Sequence, residues 1–137
     1  MNQITVFTTR RSFDSDARIS RSVAKKALDF LDIDNVAFDI ALVSQPRMRF
    51  LNRVFRKKDK ATNVLSFCEP EEFRGVPSDK KYLGEIYISP AYIRFYKQDI
   101  KHMVVHGILH LLGFDHETKK EREEMERKEK ELLAKLR

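Results

Sequence analysis

The stretch His106-Gly-Ile-Leu-His110-Leu-Leu-Gly113-Phe-Asp-His116 constrains the fold of this chain more than any other. His106 and His110 lie one helical turn apart and therefore share a face. The residues before and between them are mostly apolar, so a helix over 100–112 is expected to be buried on most sides. Gly113 suits the left-handed position that ends a helix, and a chain turning there returns His116 to the other two. Three neutral imidazoles then converge with a fourth position open, the ligand plan of a catalytic zinc site.

The spacing is that of the metzincin signature H-E-x-x-H-x-x-G-x-x-H, with Gly107 where those proteases carry their general base. Close packing of the helix on a neighbour is the other reading of Gly107. One ion per chain is expected, and nickel, copper or iron would also suit imidazole. His102 precedes His106 by one turn, but it would lie about 12 Å from His110 along a straight helix. Both cannot bind one ion, so His102 is read either as a group that supports the metal ligands or, in preference, as an ordinary core residue. Cys68, the single cysteine, rules out an internal disulfide and is read as a buried, inert thiol.

The net charge of +6 is concentrated. Arg47, Arg49, Arg53, Arg56, Lys57, Lys58 and Lys60 stand against Asp59 alone, while the rest of the chain balances to zero. A helix opened by Ser44-Gln-Pro46 would put Arg49, Arg53 and Arg56 on one face and Met48, Leu51 and Phe55 in the core. Basic residues on a rigid element point to a polyanion partner.

The 137 residues are expected to form one domain spanning 1–137. The N-terminus lacks signal-peptide character and no apolar run reaches membrane-spanning length, so the expected location is the cytoplasm. Strands are predicted at 4–7, 36–43, 64–67 and 83–88, the third of them central. Helices are predicted at 17–31, from Pro46, at 91–96 after a Ser89 cap, and from a capping box at Thr118 and Glu121. Segments 10–16 and 69–81 read as loops. Residues 97–99 either break the fourth helix or carry it through into the histidine helix. The fold class expected is α+β: about four strands packed by helices, with the metal-ligand helix buried at the centre.

Taken together, Leu51-Asn-Arg-Val-Phe-Arg56-Lys-Lys-Asp59, Thr62-Asn-Val-Leu-Ser-Phe67, Leu83-Gly-Glu-Ile-Tyr-Ile-Ser89 and the histidine motif resemble the YbeY-type endoribonuclease family over nearly the whole chain. Ala61 and Glu85 depart from the family pattern, which often has Pro and Asp there. The resemblance implies zinc at His106, His110 and His116, and a functional Arg56 beside a cleft for single-stranded RNA. It also implies a role in 16S rRNA 3′-end maturation and ribosome quality control, with the small ribosomal subunit as partner.

Chemically, Arg56 is expected to donate to the phosphate as its charge grows, with His110 the second catalytic candidate. Arg49, Arg53, Lys57 and Lys58 would hold flanking phosphates. With glycine at 107, either the metal-activated water acts without a base, or Asp115 or Glu85 assists; for Asp115, orienting a histidine is preferred. The alternatives are a zinc peptidase and a non-catalytic RNA- or ribosome-binding module with structural zinc. The oligomeric state is not legible.

Overall fold

The computed structural model describes residues 1–70 and 80–136. Its order is β1 (Gln3–Thr8), α1 (Asp14–Phe30), β2 (Val36–Leu42), α2 (Gln45–Arg56), β3 (Val64–Cys68), β4 (Lys81–Ile88), α3 (Pro90–Phe95), α4 (Ile100–Leu111) and α5 (Lys119–Lys135), with a short 3-10 turn at Arg11–Phe13. The α+β expectation stands. The sheet order is β1-β2-β4-β3, with β1, β2 and β4 parallel and β3 antiparallel to β4.

Alternation decides which side of the sheet each residue serves. Val36, Phe38, Ile40 and Leu42 of β2 are buried, as are Ile86 and Ile88 of β4. They pack with Val23, Ala24, Ala27 and Leu28 of α1 and Val104, Val105, Ile108 and Leu109 of α4. Met125 and Leu132 of α5 close the same core. On the other face Met48 and Leu51 of α2 meet Leu65, with Phe67 and Tyr87 at the margin. The sheet thus separates the histidine helix from the basic helix.

Several expectations need correction. The segment 10–16 is not all loop: α1 starts at Asp14 because Phe13 is buried and anchors the entry. β3 is an edge strand, not a central one. It is apolar because Leu65 and Phe67 meet α2 on one face while Val64 packs toward the main core on the other. Phe55 is 60% exposed rather than in the core. Among the described residues the sheet ends at β3, and the inward position one turn earlier is taken by buried Asn52, whose Nδ2 donates to the Lys60 carbonyl at 2.9 Å. Ser89 precedes α3, but its hydroxyl makes no cap hydrogen bond. The loop expected at 69–81 falls for its greater part outside the described residues, and Lys81 already belongs to β4.

Residues 97–99 do break the helix. Lys97 takes a left-handed φ of 53°, and Asp99 caps α4 by accepting from the Lys101 N–H at 3.0 Å. Gly84 has φ 138°, and a Cβ there would lie 2.1 Å from the Phe67 carbonyl oxygen, so only glycine lets β3 and β4 pair at this point. Among the described residues no helix is long and apolar enough to cross a membrane.

Candidate metal centre

The triad is built by the last two turns of α4 and the turn that follows. The Gly113 N–H donates to the His110 carbonyl and the Phe114 N–H to the Leu109 carbonyl, both at 3.0 Å. With Gly113 at φ 100° this is the glycine-ended helix stop that the sequence suggested. The chain reverses, and the Asp115 carboxylate takes the His116 N–H at 2.7 Å. His106, His110 and His116 then present one nitrogen each, all within 4.8 Å of one another.

The donor set fits a transition-metal ion. His106 Nε2 and His110 Nε2 lie 3.2 Å apart. A tetrahedral ion with bonds of ~2.0 Å has ligand nitrogens ~3.3 Å apart. Burial, together with the neighbouring His106 and His116, lowers the pKa of His110, which favours the neutral form that can ligate. The His116 side chain is 53% exposed, so the centre is open on one side. A cavity of about 420 Å³ adjoins it, lined by Asn63, His102, His106, His116, Arg122 and Glu129.

Glu129 of α5 was not foreseen. It is 8% exposed and binds two histidines of α4. Oε1 lies 2.8 Å from His106 Nδ1, and Oε2 lies 2.6 Å from His102 Nε2. A carboxylate can only accept, so Nδ1 of His106 carries the proton and its Nε2 lone pair is left facing His110. Burial alone would raise the Glu129 pKa, but the hydrogen bonds from His102 and His106 prevail and pull it down to about 2. His102 is therefore not a core residue. Its side chain is 41% exposed, and the Glu129 bond raises its pKa more than its own burial lowers it. The signal for Glu129 was present in the sequence: an acid inside the apolar stripe formed by Met125 and Leu132.

Gly107 faces β4. A Cβ would stand 2.8 Å from Cγ2 of Ile86, so the close-packing reading describes its environment and leaves no room for a carboxylate. Glu85 is next to Ile86 in an extended strand and thus points to the opposite face, where it binds the Tyr87 hydroxyl. Cys68 is exposed rather than buried, because it ends the edge strand; its thiol lies 3.5 Å from the His110 carbonyl.

The basic helix is divided. Arg49 is held by Asp59 through two bonds of 2.8 and 3.1 Å, and Arg53 lies over the Phe50 ring at 5.7 Å. Arg56 turns the other way. It donates to the Ser66 carbonyl at 3.1 Å and lies 5.6 Å from the centre of the Phe67 ring. Lys57 takes the left-handed turn that ends α2, and both it and Lys58 are exposed. Ser66 connects the two elements: its carbonyl meets Arg56 and its hydroxyl lies 3.5 Å from the Gly107 carbonyl of α4.

The family model for endoribonuclease YbeY matches residues 4–137. An endoribonuclease YbeY from Rhodopseudomonas palustris is 39% identical over 135 residues, covering 89% of this chain and 69% of the relative. One from Aquifex aeolicus is 38% identical over 122 residues, covering 82% and 79%. The solution structure of a Thermotoga maritima protein superposes with a TM-score of 0.61 at 29% identity, covering 98% of this chain and 88% of that one. With a histidine triad formed by a buried helix and the turn after it, and a match that runs from the first strand to the last helix, this chain belongs to the endoribonuclease YbeY family.

Proposed function

We propose that this chain is a zinc-dependent endoribonuclease acting on single-stranded RNA. Its proposed role is small-subunit rRNA 3′-end maturation and ribosome quality control in the cytoplasm, with the small ribosomal subunit as partner. The observation that carries the reading is the convergence of three imidazole nitrogens at the open end of α4, one β-strand away from the basic helix.

Zinc held by His106, His110 and His116 would polarise a phosphodiester oxygen and acidify a water, which lessens the need for a separate base. Everything else falls to the chain's own side chains. Glu129 holds the His106 tautomer, and burial keeps His110 neutral. Arg56 spends one N–H on Ser66, and its other donors, which make no further hydrogen bond among the described residues, would follow the growing charge on the phosphate. Arg53, Lys57 and Lys58 would take flanking phosphates, so binding should weaken with salt. Arg49 contributes less because Asp59 neutralises it. Asp115 supports the His116 loop rather than moving a proton. Peptide hydrolysis is less well supported, since position 107 has no space for the carboxylate that zinc peptidases use.

The test is cleavage of a labelled single-stranded RNA by zinc-loaded protein beside a chelated control. His110→Ala should lose both metal and cleavage. Arg56→Ala should keep its metal and lose cleavage; full cleavage by that variant would refute the arginine's role. Metal-independent binding without any cutting would favour the RNA-binding module.

A further inference from the structure

We propose that Phe55 is a base-stacking platform, on which one unpaired nucleobase lies flat while its phosphate meets Arg56 and Lys57. This rests on the reading of the chain as an RNA-binding nuclease and adds a residue that reads bases rather than charge.

Three observations converge on this position. First, Phe55 belongs to the apolar spacing of α2 yet keeps 60% of its surface exposed, so packing does not account for it. Second, the ring is held rather than loose. It sits 5.2 Å from Phe67 at 60°, and Phe67 in turn sits 5.8 Å from Tyr87 at 72°. This aromatic row runs from the α2 side of the sheet to its edge and ends in Phe55. A ring braced on one side offers a flat apolar surface at little cost in freedom.

Third, the surroundings are cationic. Arg56 lies over the neighbouring Phe67 ring at 5.6 Å, and exposed Lys57 and Lys58 follow at the turn. An apolar protein partner would meet an apolar rim; here Val54 is half-exposed on one side, but Arg56, Lys57 and Lys58 make the C-terminal side of the rim positive. Its complement is a polyanion that also carries flat apolar faces. Single-stranded nucleic acid has both, whereas a duplex hides its base faces. Because every base has a π-face, the platform should tolerate sequence and discriminate against paired strands.

The chain contains no tryptophan, so Phe55→Trp creates a single tryptophan at the platform, excited selectively at the red edge of its band to leave out the four tyrosines. The experiment titrates this variant, with metal chelated, using a single-stranded RNA oligomer and then inorganic polyphosphate of similar charge. Stacking predicts quenching by RNA and not by polyphosphate. It also predicts that Phe55→Ala binds the RNA at least fivefold more weakly, at the low end of base–aromatic stacking, while its polyphosphate affinity stays within twofold of the parent. Both variants should melt with the parent, because the ring lies mostly outside the core. Equal quenching by polyphosphate, or RNA binding by Phe55→Ala as tight as the parent's, overturns the platform and leaves the nuclease reading intact. A parent that binds no RNA overturns both.

Discussion

Removing the Glu129 carboxylate should weaken metal binding although Glu129 touches no metal. Its two oxygens accept from His102 at 2.6 Å and from His106 at 2.8 Å. Without them, His106 is free to carry its proton on Nε2, the atom needed for ligation, and to rotate. Hydrogen-bond partners of ligating histidines are typically worth about 10- to 100-fold in metal affinity, or ~1.4–2.7 kcal/mol. Glu129→Ala should approach the upper figure. Glu129→Gln keeps one carbonyl acceptor and should lie near the lower one. The assay is competition with a zinc-chelating dye at neutral pH. Glu126→Gln is the control, since it removes an equal charge from the lining of the same cavity and has no bond to a ligating histidine. If Glu126→Gln and Glu129→Gln lose affinity equally, Glu129 acts only through its charge and the orienting argument is wrong.

The other expectations concern packing and acid. Gly107→Ala puts a Cβ 2.8 Å from Ile86, and overpacking of ~1–3 kcal/mol should outweigh a helix-propensity gain of ~1 kcal/mol. A Tm a few degrees below the parent's is expected in thermal melts, and a higher Tm would show that α4 can shift off the sheet. The Glu129 pKa is depressed from 4.5 to about 2, so its contribution to stability is complete above about 4.5 and is lost as the pH falls toward 2. In urea melts of metal-free protein, the stability gap between the parent and Glu129→Gln should therefore shrink from pH 5 to pH 3. A constant gap would contradict the shift.

What could be read from the sequence was whatever a local period or a glycine encodes. The histidine cluster was legible because one turn of helix and one glycine stop bring all three imidazoles together within eleven residues. The strands at 36–42 and 81–88 were legible in outline from their apolar content and alternation. Long-range information was not. That β3 lies at the edge depends on its pairing with β4, and nothing inside Val64–Cys68 encodes that neighbour. Phe55 has the spacing of a core residue, and only the end of the sheet leaves it outside. His102 looked like a core histidine because its partner sits on another helix 27 residues later. Glu129 was legible in principle, as a charge where α5 needed an apolar side chain, but its two acceptors gain meaning only once α4 is beside it.

The position of β3 has a consequence for how copies of this chain behave in solution. Its five residues, Val-Leu-Ser-Phe-Cys, carry no charge, and its outer side has no strand partner among the described residues. Such a strand is a template for pairing with another molecule. The Arg56 guanidinium plugs the Ser66 carbonyl on that side and brings a charge that two copies cannot bury together. The arginine proposed to meet RNA would thus also keep the protein from aggregating, and its loss should surface as self-association at high concentration even where no RNA is present.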